Sequence, residues 1–109
     1  MAALLAMAAC GGTAPRSCPS DLPAACPSTV PSFVHDVSPV FQSACVQCHR
    51  AGGSAAERPL TTYAQVASQR SAVLNQLYGC RMPPTDGTSL TPAQRLAVLQ
   101  WLVCHAPEN

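Results

Sequence analysis

Cys45, Cys48 and His49 stand together in ACVQCHRAGG, two thiols three residues apart with an imidazole directly behind the second. Seven cysteines occur in only 109 residues. A chain this short buries too little apolar surface to be held comfortably by packing alone, so staples, a metal or a cofactor are expected to complete the fold. The density of cysteines points the same way, to an oxidising compartment or a bound group. The CVQCH stretch is where such a group would be held.

Three chemistries fit two thiols at this spacing. A zinc site uses CxxC as one half and needs a second close pair as the other. The remaining cysteines of the domain, Cys80 and Cys104, lie far apart in sequence, and His49 directly after Cys48 is awkward for the same metal. A redox dithiol of the thioredoxin kind needs a strand before the motif and a βαβ context, and no strand pattern is present. A c-type haem needs two thiols for its two thioether bonds and a histidine next to them to reach the iron, and CxxCH is the motif that provides both. The match is complete at Cys45, Cys48 and His49.

The segments around the motif read as helices. VPSFVHDVSPVFQSACVQCH spaces Phe33, Val37, Val40, Phe41 and Ala44 in a broadly helical pattern. Pro39 suits a first turn, with Ser38 as N-cap, which predicts a short helix over about 38–46 that delivers the motif at its end. RAGGSAAERP is a loop. In LTTYAQVASQRSAVLNQLYG, Thr62 and Gln65 form a capping box, Tyr63, Val66, Ala67, Val73, Leu74 and Leu77 share a face, and Gly79 is the stop. CRMPPTDGTS is rich in turn residues. LTPAQRLAVLQWLVCH has Thr91 as N-cap, Pro92 in the first turn and Gln94 three after the cap. Leu96, Leu99, Leu102 and Val103 are expected on its buried side, with Trp101 at the edge. The predicted fold class is all-α: about three short helices with long loops.

The front of the chain differs. MAALLAMAAC is an apolar run ending in small residues and Cys10. It is expected to be a signal remnant over residues 1–9, with lipidation at Cys10. The run is too short to span a bilayer as a helix. Residues 10–31, rich in Pro, Ser, Ala and Gly, read as a tether, leaving 32–109 as the domain. Charged residues are 10% of the chain and the formal net charge is +1. No basic stripe exists, so nucleic acid is not an expected partner.

In its wording DVSPVFQSACVQCH, CRMPP and LTPAQRLAVLQWLVCHAP, residues 38–106 resemble class I cytochromes c, and small bacterial cytochrome c-like lipoproteins in particular. The resemblance covers about two thirds of the chain. It implies helices packed around one covalent haem c, with His49 and Met82 as the axial iron ligands. Met82 lies in a proline-stiffened loop before the last helix, as the sixth ligand does in that family. His35 and His105 are the other residues able to take its place. Phe33, Phe41, Tyr63, Leu74, Leu77, Leu99 and Trp101 are the candidates to line the haem.

Four cysteines then remain. Cys18–Cys26 would close a short loop in the arm, and Cys80–Cys104 would fix the Met82 loop to the last helix. The cross pairings, Cys18–Cys80 with Cys26–Cys104 or the reverse, stay open. Typical class I cytochromes c lack these cysteines. The expected function is single-electron transfer at the periplasmic face of a bacterial envelope. The protein would be a monomer rather than an enzyme, held to the membrane through Cys10 and meeting redox partner proteins at the haem edge. The alternatives are an open-site haem protein, a gas sensor or peroxidase-like, and an electron-relay domain of a larger redox complex.

Overall fold

The computed structural model describes residues 18–109; the expected signal remnant at 1–9 and the lipidation site at Cys10 lie outside them. Among the described residues the fold is all-helical, with no strand. A π-helical turn, Phe33–Val37, leads into α1 (Ser38–Ala44), followed by α2 (Tyr63–Ser68), α3 (Arg70–Tyr78) and α4 (Pro92–Val103). No helix among these residues is long and apolar enough to cross a membrane.

Local capping chemistry starts the later helices as expected. Thr62 accepts from the Gln65 amide while the Gln65 side chain accepts from the Thr62 amide, and Thr91 and Gln94 repeat the arrangement at α4. The first helix starts differently. Ser38 is its first residue, not its cap, because residues 33–37 are already helical and feed straight into it. The cap of the whole segment is Ser32, whose hydroxyl accepts from the His35 amide, while Asp36 accepts from the Ser32 amide at 2.7 Å. Asn109 folds back onto the same start. Its side-chain oxygen accepts from the Phe33 amide and its backbone oxygen from the Ser32 hydroxyl and the Val34 amide, so donors that no helical turn can satisfy are paired.

The helix expected after Thr62 is two helices. At Gln69 the backbone leaves helical geometry, and its side-chain amide donates to the carbonyls of Gln65 and Pro59. Helix α3 then stops at Gly79, as expected. Gly79 is the C-cap, and Cys80 takes the left-handed backbone at φ 58°. The Cys80 amide donates to Leu77 O and the Arg81 amide to Gln76 O, the paired bonds of a Schellman turn. Helix α4 ends in the same motif without glycine: His105 donates to Leu102 O and Ala106 to Trp101 O, both residues left-handed.

The core is built on α4. Val98, Leu99, Trp101 and Leu102 are buried there and pack with Val37, Val40, Phe41, Leu60, Val66 and Leu77. The buried stripe is turned from the expected one. Trp101 is fully buried at its centre, while Leu96 is 41% exposed. Two extra apolar rings account for the turn: Phe33 and Tyr63 close on Trp101 at 5.4 and 6.3 Å between centroids, which draws the tryptophan side of α4 inward.

Residues 18–31 carry no helix or strand, yet they are not a hanging tether. The pairings Cys18–Cys26 and Cys80–Cys104 do not occur. The bridges are Cys18–Cys80 and Cys26–Cys104, with Cα–Cα distances of 5.8 and 4.8 Å. Pro19 and Pro23 favour an extended arm, which separates Cys18 from Cys26 and carries each to a different helix end. The crossed pairing also closes loops of 62 and 78 residues, and the loop-entropy model gives roughly 4 kcal/mol for a closure of that length. Both bridges land just past a helix, Cys80 after α3 and Cys104 after α4. They are compatible with an extracytoplasmic protein.

An ion pair joins the arm to α4 between the two bridges. Arg95 Nε and Nη2 donate to the two Asp21 carboxylate oxygens at 2.8 and 2.9 Å. The hydrogen bond from Arg95, then its charge, holds the Asp21 carboxyl below its ordinary value of 3.8. A depressed native value means the pair stabilises fully above pH 3.8 and loses its contribution as the pH falls through the native value. Urea midpoints of wild type and Asp21→Asn, followed from about pH 6 to about pH 2.5, are therefore expected to converge at the acid end. A gap that stays constant across that range would refute the assignment.

Candidate haem site

The CVQCH turn is an extension of α1. The Cys45 amide donates to Phe41 O, and the Cys48 and His49 amides both donate to Cys45 O. The following loop wraps back over this turn, and its glycines explain how. Gly52 takes a left-handed φ of 81°, and a Cβ at Gly53 would collide with the Cys48 carbonyl. Ala55 then donates to Cys48 O and Leu60 to His49 O. The loop thereby brings the Arg58 carbonyl to 2.8 Å from His49 Nδ1.

That hydrogen bond decides the tautomer. A carbonyl only accepts, so Nδ1 carries the proton and Nε2 keeps its lone pair. A backbone carbonyl on one ring nitrogen is the usual way a metal-binding histidine is oriented and its other nitrogen made more basic. The RAGG stretch was legible only as a loop. Its glycine pair is the signal that it closes on the motif.

Cys45, Cys48, His49 and Met82 line a single cleft, which has about 970 Å³ of free space including the solvent at its mouth. Val40, Phe41, Leu60, Leu77, Leu90 and Val98 make its walls apolar. Of the seven residues expected to line a haem, Phe41 and Leu77 line this cleft. Phe33, Tyr63 and Trp101 form an aromatic cluster elsewhere in the core, and Leu74 and Leu99 do not line the cleft. Neither His35 nor His105 lines it; His105 Nδ1 accepts from Arg70 Nη1 at 2.6 Å. Among the described residues, no three His, Cys, Asp or Glu side chains form a metal-holding group. One histidine and one methionine would not make such a group.

The two motif cysteines differ in state. Cys48 is buried and disulfide-bonded, and a thioether at Cys48 would form only after that bond is reduced. Cys45 is a free thiol, and burial pushes it up to about 11. Only the thiolate reacts with iodoacetamide. At about pH 8 Cys45 would be roughly one part in a thousand thiolate, against about a quarter for an ordinary thiol. In the cofactor-free chain, Cys45 is expected to alkylate about 250-fold more slowly when native than in urea. The native rate should rise about tenfold per pH unit. Equal rates in the two states would show that the thiol is not buried.

The apolar walls, the Cys45 thiol and the tautomer of His49 are what a thiol-attached, iron-bearing group would need, while the Cys48 sulfur is engaged in a disulfide. No family model matches the chain, and no curated protein or solved structure is similar to it.

Proposed function

We propose that this protein carries one covalent haem c and transfers single electrons outside the cytoplasm, with His49 and Met82 as axial ligands. The observation that carries the reading is the cleft that CVQCH and Met82 line together. Bound there, the haem supplies a one-electron iron couple.

The chain's own residues bind and tune that group. Cys45 and Cys48 would supply the thioether sulfurs as thiols adding to the haem vinyl groups, which requires a thiol reductant to reduce the Cys48 disulfide first. His49 offers Nε2, held in orientation by Nδ1–H donating to Arg58 O. Met82 offers a soft thioether, which raises the potential relative to histidine alone. The apolar walls keep water from the cofactor face. With His49 and Met82 both holding the iron, no place would be left on it for a substrate, and the role would be carriage rather than catalysis.

Partners are redox proteins that dock at the haem edge. All six basic residues are arginines and none of the 109 residues is lysine, so docking rests on apolar contact more than on a ring of positive charge. Lipidation at Cys10 would raise the effective concentration at the membrane.

The test is an intact mass and optical spectra of both oxidation states, on protein made in a host with haem-attachment machinery. A haem-sized mass increase together with a low-spin spectrum showing the methionine-to-iron charge-transfer band is expected. Covalent haem with a high-spin spectrum and carbon monoxide binding would replace carriage by an open-site sensor or peroxidase-like role. No haem would overturn the reading.

A further inference from the structure

Two fastenings of the arm converge on the turn that carries Met82. Cys80, two residues before Met82, is bridged to Cys18. It is buried and occupies the left-handed position of the Schellman turn that ends α3, a backbone state unfavourable to a residue with a Cβ. The Arg81 and Met82 amides both donate to Gln76 O at 3.0 Å, so the start of the Met82 loop is set by how that turn closes.

Arg95 secures the same turn from α4. While two of its nitrogens hold Asp21, Nη1 donates to Leu77 O at 2.6 Å and Nη2 reaches Tyr78 O at 3.4 Å. One guanidinium thus joins the arm, α4 and the last carbonyls of α3. Pro19 and Asp21 of the arm share a second groove with Cys80, Met82, Pro83 and Pro84. The arm is therefore one wall of the space behind the methionine loop.

We propose that residues 18–21 act as a strap that positions Met82 at the iron, fastened by the Cys18–Cys80 bridge and the Asp21–Arg95 pair. The proposal rests on Met82 being the sixth ligand. The Cys26–Cys104 bridge closes a comparable loop but lands at the far end of α4, away from the methionine turn. The two bridges therefore separate positioning from general stability.

The experiment uses ferric holoprotein and imidazole as the competing ligand. Imidazole binds only where the methionine has left, so its apparent dissociation constant is the intrinsic one divided by the methionine-off fraction. Cys18→Ser/Cys80→Ser is expected to bind imidazole about tenfold more tightly than wild type, the effect of a tenfold larger methionine-off fraction. It should also show a weakened charge-transfer band. Cys26→Ser/Cys104→Ser should remain within about twofold of wild type. Asp21→Asn, which leaves both bridges in place, should shift affinity in the same direction by a smaller factor, and it stands in if the first variant does not fold.

Wild-type imidazole affinity in both the Cys18/Cys80 and Asp21 variants would overturn the strap, as would equal shifts in the two bridge variants. A wild-type holoprotein without the methionine band would instead overturn the assignment of Met82, and the strap with it.

Discussion

Protein carrying Cys45→Ser and Cys48→Ser is expected to leave a haem-attaching host with no covalent haem, where wild type carries one per chain. Serine keeps the size of each side chain and removes the sulfur. Both residues line the cleft that Met82 also lines, and the other described cysteines, Cys18, Cys80, Cys26 and Cys104, do not line it and are paired with one another. The loss should therefore be complete rather than partial. Haem held only through His49 and Met82 would leave the protein in acidified organic solvent, where a thioether survives. Single variants keep one sulfur and should retain a reduced covalent fraction. Because Cys48→Ser also removes a disulfide, helicity in the far ultraviolet must be compared across the set. A double variant that keeps the covalent adduct would place attachment elsewhere and refute the site.

The helices were legible where their signals are local. Thr62 with Gln65, and Thr91 with Pro92 and Gln94, act within one turn, and both capping boxes are present. The Ser32–Asp36 start was equally local, but Pro39 offered a competing first turn six residues further on. Contacts that depend on how distant segments dock were not legible. Nothing in the spacing of Phe33, Tyr63 and Trp101 says that they meet one another rather than the cleft. The cysteine pairing is of the same kind. Counting left the crossed pairs open, and what selects them is an arm that lies across α4 and is held there by Asp21 and Arg95.

The site divides along the same line. CVQCH is a contiguous motif, so its three side chains were visible at once. That Met82 shares their cleft follows from the fold, through the Schellman turn at Cys80 and the return of the chain into α4. The carbonyl that orients His49 was invisible because it belongs to the backbone of Arg58, and any residue there has one. Only the crowding at Gly53 ties that loop to the motif by residue type.

Trp101→Ala is expected to cost the fold about 3–5 kcal/mol, the range for removing a buried large aromatic ring. A domain of this size has about 5–15 kcal/mol in all, so the cofactor-free variant should be close to unfolding. The site leaves little room to relax. Trp101 is fully buried, packed between Phe33 at 5.4 Å and Tyr63 at 6.3 Å, and its indole donates to Pro107 O at 2.9 Å. The Tyr63 hydroxyl donates to Ala106 O at 2.7 Å, so the aromatic cluster also closes the left-handed turn that ends α4. Alanine would leave a cavity joining the first segment, α2 and the tail at once. Trp101→Phe keeps a ring but leaves the Pro107 carbonyl unpaired, a loss of about 1–3 kcal/mol. Tyr63→Phe removes one hydroxyl at a half-buried position and should cost about 1 kcal/mol. Urea midpoints with the disulfides intact should therefore fall in the order wild type, Tyr63→Phe, Trp101→Phe, Trp101→Ala. Since Trp101 does not line the cleft, the haem spectrum of any folded variant should match wild type. A changed iron spectrum with unchanged stability would mean that the aromatic cluster acts on the cofactor, through the residues that core and cleft share, such as Phe41 and Val98.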